Sequence, residues 1–151
     1  MSDQTAKIRN RYGRISSIYD LLEAPMEWSV SHWRDELMNE VNGRVLEVGV
    51  GTGKNLLYYP EDVKVTAVDF SKRMLRKAKK KLPDTSMPVQ LVAADVEALC
   101  FPDDSFDTVL TSCVFCSVPD PVQGFREIRR VCISGGTVVM LEHVRSEKTG
   151  L

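Results

Sequence analysis

The segment Glu47-Val48-Gly49-Val50-Gly51-Thr52-Gly53 closes a short apolar run, Arg44–Val50, and opens an expected helix through about Tyr59. A strand that turns through glycines into a helix lets a ligand approach the backbone closely. A dinucleotide-binding fingerprint needs glycine three residues after Gly51, where this chain has Lys54. Lys54 is also out of frame for a phosphate-cradling GxxxxGK[ST] loop. The acidic Glu47 would sit awkwardly beside a pyrophosphate and suits a ligand with a cationic ammonium group. A plain strand-to-helix turn of another α/β protein would carry the same glycines.

Outward from this turn, strands and helices alternate. Lys64–Asp69 reads as a second strand, and Ser71 can cap a basic helix running to Leu82. Pro83 and Pro88 bound a loop, and Val89–Ala93 is a third strand. Pro102–Ser105 is a turn before a fourth strand, Phe106–Cys113. Pro119–Pro121 lead into a helix, Val122–Val131. Gly135-Gly136 is expected to turn the chain into a fifth strand, Thr137–His143. Such alternation means βαβ units with right-handed crossovers and a parallel sheet covered on both faces. Its ligand belongs at the carboxyl ends of the strands, near the switch point beside the first strand.

Residues 1–42 differ in kind. Ile8, Ile15, Ile18 and Leu22 fit one helix, and Trp33, Leu37 and Val41 a second. Pro25 is expected to separate them and Gly43 to end the second. The division is therefore a helical N-terminal segment, 1–42, and a core, 43–151.

Two further carboxylates end strands. Asp69 lies 20 residues after Gly49 and can accept both hydroxyls of a ribose. Asp95, after the third strand, could bond an adenine amino group with Val96 against the ring. It could equally cap a short helix at Val96–Leu99.

The 151 residues fit one domain. Hydrophobic residues make up 43% and charged residues 27%, an ordinary balance for a globular chain. A net charge of −1 excludes a global basic field for nucleic acid. No apolar run approaches the roughly 20 residues of a membrane span, and the N-terminus lacks a secretory h-region. Cys100, Cys113, Cys116 and Cys132 then read as reduced thiols of a cytoplasmic protein. Cys113 and Cys116 have CxxC spacing without the second pair that zinc needs, so no metal is expected. The run Lys72, Arg73, Arg76, Lys77, Lys79, Lys80 and Lys81 solvates a helix face with Leu75, Ala78 and Leu82 inward. Attraction to anionic lipid headgroups is the alternative. His32 reads as a surface or packing residue.

Three carboxylates at the tips of three successive strands resemble the class I S-adenosylmethionine-dependent methyltransferases. The motif, an acidic residue followed by GxGxG, is carried by Val45–Gly53. The match extends to Val65–Asp69, Phe101–Asp107, Ser117–Pro121 and Gly135-Gly136. Within the class, Ile18–Leu21, Trp33-Arg34, Val114–Ser117 and Leu141–Val144 are similar to the ubiquinone/menaquinone-biosynthesis and phosphatidylethanolamine methyltransferase group. The resemblance implies a Rossmann-like doubly wound sheet of five strands, order 3-2-1-4-5, lacking the usual final two. It implies S-adenosyl-L-methionine as cofactor and a small-molecule or lipid acceptor. Glu47 would help place the methionine ammonium, and Gly49, Gly51 and Gly53 would pack against the cofactor. Asp69 would hold the ribose with Phe70 and Met74 nearby. Asp95 and Val96 would frame the adenine, Cys113 would lie near the methionine, and the N-terminal segment, 1–42, would be a lid over the cofactor with Tyr19 in it.

Family members usually continue past strand five. Here strand five is expected to be an exposed apolar edge that invites pairing, for example in a homodimer. A truncated cofactor-binding or assembly subunit without turnover is the alternative, and a nicotinamide oxidoreductase a third reading. The expected reaction is in-line methyl transfer, in which the protein supplies position and electrostatics. His143, at the end of strand five, is the candidate general base, with a structural histidine the competing reading.

Overall fold

The computed structural model describes Lys7 and residues 33–142. Residues 33–39 are helical. They are followed by β1 (Arg44–Val48), β2 (Lys64–Asp69), α1 (Lys72–Lys79), β3 (Val89–Ala93), β4 (Phe106–Ser112), α2 (Pro121–Val131) and β5 (Cys132–Leu141). The strands form one parallel sheet in the order β3-β2-β1-β4-β5, as expected for a doubly wound α/β fold.

β1 is central, and Val45 through Val48 are all buried. Its side chains alternate between two cores. Val45 joins Ala67 of β2, Leu110 of β4 and Ala78 of α1, with Leu37, Met38 and Val41 from the N-terminal segment. Leu46 and Val48 join Val68 and Val109, covered by Ile128 and Val131 of α2. Each fully buried aliphatic side chain contributes about 1.5–3 kcal/mol relative to exposure. Leu37, Met38 and Val41, at the end of the segment 1–42, thus pack into the first of these cores.

The helices start where their caps dictate. The Ser71 hydroxyl accepts the Met74 amide at 3.4 Å. Asp120 accepts the Gln123 amide at 3.0 Å, and Pro121 sits in the first turn of α2. Met74 and Ala78 are the inward residues of α1, with Leu75 partly buried beside them.

Three local expectations are corrected. The helix expected through Tyr59 is only a 3-10 turn, Asn55–Leu57. Asn55, Leu56 and Tyr59 are buried there, and the Leu56 and Tyr58 amides reach back only three residues, to the Gly53 and Asn55 carbonyls. α1 stops at Lys79, and Leu82–Asp84 form a separate 3-10 turn with Pro83 inside it. Gly135-Gly136 is not a turn between helix and strand, because β5 begins at Cys132 and runs through it as a bulge. Phe106 pairs with Cys132, and Thr108 with Thr137. A Cβ on Gly136 would lie 2.9 Å from the Asp107 carbonyl oxygen, so glycine lets β5 stay beside β4.

Candidate functional site

The carboxyl ends of β1, β2 and β3, together with the loop after β4, line an open cleft. Gly49, in the turn after β1, is part of its lining. Gly49 has φ +70° and Gly51 φ +56°, a region that favours glycine. The amides of Gly49 and Val50 both donate to the Val68 carbonyl, at 2.8 and 3.0 Å, and anchor the turn to β2. A Cβ on Gly49 would lie 2.5 Å from Cγ2 of Val114, whereas one on Gly51 would meet nothing closer than 4.0 Å. Gly51 therefore keeps open space that a larger residue would fill.

Asp69, at the tip of β2, is buried and lines the cleft. Its carboxylate accepts the Gly51 amide at 2.9 Å and the Ser71 amide at 2.8 Å. Burial raises its pKa above the usual carboxylate value, and these two amides pull it back. A carboxylate offers about four acceptor sites, so lone pairs remain for hydroxyl donors from a ligand. Phe70, Asp95 and Val96 line the same cleft. Asp95 does not cap a helix. It accepts the Glu97 amide at 3.0 Å in a turn closed by a bridge to Ala98.

Glu47 sits apart from the cleft lining, buried in the sheet. Its two oxygens accept Asn55 Nδ2 at 2.9 Å and the Tyr59 hydroxyl at 3.0 Å. Asn55 Oδ1 in turn accepts Arg34 Nε at 2.8 Å. Burial pushes the Glu47 carboxyl up to about 7, against the lowering effect of Asn55, Tyr59 and the Arg34 charge. Asn55 and Tyr59 were not singled out from sequence as site residues, and Arg34 was quoted only as part of a subgroup motif. A glutamate in the middle of an apolar strand was the signal that such partners must exist.

Of the residues expected from sequence, Gly49, Asp69, Phe70, Asp95 and Val96 meet in the cleft. Gly51 touches it through Asp69. Gly53 packs on α1, where a Cβ would lie 3.1 Å from Ala78. Met74 is buried on the inner face of α1. Cys113, at the end of β4, has φ +56° and donates its amide to the Leu141 carbonyl at 2.7 Å. Tyr19, His32 and His143 lie outside the described residues. Among the described residues, no cluster of three or more His, Cys, Asp or Glu could hold a metal ion. No described helix is long and apolar enough to cross a membrane.

Open space at Gly51 and the Asp69 and Asp95 carboxylates lining the cleft at the strand tips suit a nucleoside. Residues 46–140 match the methyltransferase-domain family, and the chain belongs to that family as a class I S-adenosylmethionine-dependent methyltransferase domain. It is 39% identical over 139 residues to the phosphatidylethanolamine N-methyltransferase of Cereibacter sphaeroides, covering 91% of this chain and 63% of that one. It is 31% identical over 153 aligned positions to the ubiquinone/menaquinone biosynthesis C-methyltransferase of Geotalea daltonii, covering 94% and 65% respectively. A protein solved as a DhpI–SAM–HEP complex superposes with a TM-score of 0.80 at 25% identity, over 98% of this chain and 70% of that one. The chain spans a little under two thirds of the length of these two curated relatives. S-adenosylmethionine is the cofactor of the class, and the open Gly51 and the Asp69 carboxylate fit it.

Proposed function

We propose that this domain transfers a methyl group from S-adenosylmethionine to a small-molecule or lipid acceptor, with a phospholipid amine or a quinone precursor as the acceptor class. The convergence of Gly49, Asp69 and Asp95 on one cleft at the strand tips carries this reading. The acceptor class follows the two relatives named above. When bound, the cofactor supplies an electrophilic methyl group on a sulfonium centre.

The chain's own residues bind and orient. Asp69 accepts the ribose hydroxyls while its other lone pairs hold the Gly51 and Ser71 amides. Phe70, Asp95 and Val96 frame the adenine. The turn from Gly49 to Gly53 admits the methionine portion, beside Cys113, and Met74 backs the β2 tip. Glu47 acts on the ammonium end through its own field and through the Asn55 and Tyr59 groups it orients. Tyr19 closes the N-terminal lid, 1–42. His143 takes a proton where the acceptor is a phenol or ring carbon, and an amine acceptor arrives already deprotonated.

Three contextual readings accompany this one. The free thiols of Cys100, Cys113, Cys116 and Cys132 support a cytoplasmic setting. The basic residues of α1 support contact with anionic headgroups at a membrane surface. Val138 and Met140, exposed on the outer strand β5, support pairing with a second copy.

The test is incubation with methyl-labelled S-adenosylmethionine and either phosphatidylethanolamine vesicles or a demethylated quinone. Label in the lipid amine or on the quinone ring supports the proposal. Cofactor binding without label transfer to either acceptor class would refute turnover on them. Absence of cofactor binding would refute the site itself.

A further inference from the structure

We infer that Glu142, directly after β5, is a positioning residue of this site that holds the loop after β4 against the glycine turn after β1, a role that rests on the cleft being the cofactor site. Cys113 leaves β4 with φ +56°, a left-handed conformation that is costly for a residue with a side chain. Val114 follows with φ −104° and ψ −47°. A left-handed residue beside a right-handed one aims successive backbone amides at a common point, a concave anion-binding arrangement. The Glu142 carboxylate occupies that point. Its oxygens accept the Val114 amide at 3.0 and 3.1 Å, the Phe115 amide at 3.1 Å and the Thr111 hydroxyl at 2.9 Å.

The consequence reaches the cleft through Val114. Its side chain rests on Gly49 so closely that a Cβ there would lie 2.5 Å from it, and Val114 itself forms part of the cleft wall. The far side of the loop is fixed by Phe115, stacked on Phe125 of α2 at 4.3 Å between ring centroids. Glu142 is thus the polar clamp and the ring stack the apolar one. Without the carboxylate, three donors lose their acceptor and the turn at Cys113 loses what holds it. Val114 is then free to leave Gly49.

The experiment compares Glu142→Ala, Glu142→Gln and the native chain by hydrogen exchange at the Val114 and Phe115 amides and by calorimetric binding of S-adenosylhomocysteine. In Glu142→Ala, exchange at both amides rises and affinity falls, each by about tenfold, as expected for loss of charge-assisted hydrogen bonds. Exchange in β1 and β2 stays native. Glu142→Gln rescues both readouts to within a few fold. Its carbonyl accepts the two amides and its amide group donates to the Thr111 oxygen. Should the alanine variant not fold, Glu142→Asp shortens the reach by one methylene and is read in the same way.

Native protection of both amides in the alanine variant would overturn the clamp. Lost protection with unchanged affinity would overturn its part in the cofactor site while leaving the site intact. If the native chain fails to bind S-adenosylhomocysteine, the reading of the cleft falls instead, and the exchange result still decides whether Glu142 holds the loop.

Discussion

The Gly51 amide donates to the Asp69 carboxylate at 2.9 Å, so the residue that faces the cleft from β2 also closes the glycine turn that follows β1. One side chain thereby couples the shape of the turn to the acceptors presented at the strand tip. The Ser71 amide, bound to the other oxygen at 2.8 Å, extends the coupling to the start of α1.

Asp69→Ala is therefore expected to act twice. It leaves the Gly51 and Ser71 amides without their acceptor, a cost of about 1–3 kcal/mol for each one that stays buried. It also removes the acceptor for the ribose, which lowers cofactor affinity by at least about tenfold. Thermal melting measures the first effect and calorimetry the second. Unchanged affinity in a folded variant would remove the ribose assignment.

The two glycines of the turn are expected to separate fold from binding. Both have positive φ, so alanine costs about 1–2 kcal/mol at either. Gly49→Ala adds an overlap with Val114 at 2.5 Å and loses a further ~1–3 kcal/mol. Gly51→Ala meets only open space, with nothing closer than 4.0 Å. It should melt below the native chain by only what its φ costs, less than Gly49→Ala does, yet bind S-adenosylmethionine poorly, because its methyl group occupies space the ligand needs. Equal affinity for native and Gly51→Ala protein would show that the ligand does not approach this face.

The parts of this architecture that were legible in the sequence are those whose causes are local. β2 and β3 are bounded by the residues that periodicity and flanking turn signals mark, Lys64–Asp69 and Val89–Ala93. The cap Ser71 lies directly before the basic helix it starts. Asp69 and Asp95 were readable because strand tips share one edge of a parallel sheet. What escaped depends on long-range approach. The bulge at Gly135-Gly136 exists because Asp107, in another strand, lies against Gly136. Glu142 meets Val114 across 28 residues, and Arg34 meets Asn55 across 21. No period or motif announces such pairs.

The cysteines should report on the loop after β4 without any substitution. Cys100 and Cys116 are exposed, Cys113 is half-buried and Cys132 is buried. Burial raises the Cys132 thiol above its usual pKa, and the nearby Asp107 and Asp104 charges add to this. A maleimide at neutral pH should label Cys116 and Cys100 first and Cys132 last, as read by peptide mass spectrometry. S-adenosylhomocysteine should slow labelling of Cys113 and Cys116, which flank cleft-wall residues Val114 and Ser117, but not that of Cys100. Equal slowing at all positions would point to global stabilisation instead of a ligand seated on this loop.

Glu47 gives the fold a pH dependence opposite in sign to that of an ordinary paired carboxylate. Its pKa rises from the usual 4.5 to about 7 because burial disfavours the charge more than Asn55, Tyr59 and Arg34 favour it. Between those values the native state holds a proton that the unfolded chain has released. Stability is thus fully present below the unfolded pKa, falls as pH rises toward 7, and is level above it. At about 1.4 kcal/mol per pH unit the loss is on the order of 3 kcal/mol. Asp107, whose pKa Arg44 lowers, acts with the opposite sign and only below the ordinary carboxylate value, so the two windows do not overlap. Glu47→Gln keeps an acceptor for Asn55 and offers Tyr59 a donor while remaining neutral at every pH. The variant should melt with the native chain near pH 4.5 and progressively above it as pH approaches 7, after which the gap stays constant. Melting curves that run parallel from pH 4.5 to 8 would mean that Glu47 is ionised in the native state throughout and that Arg34, Asn55 and Tyr59 outweigh its burial.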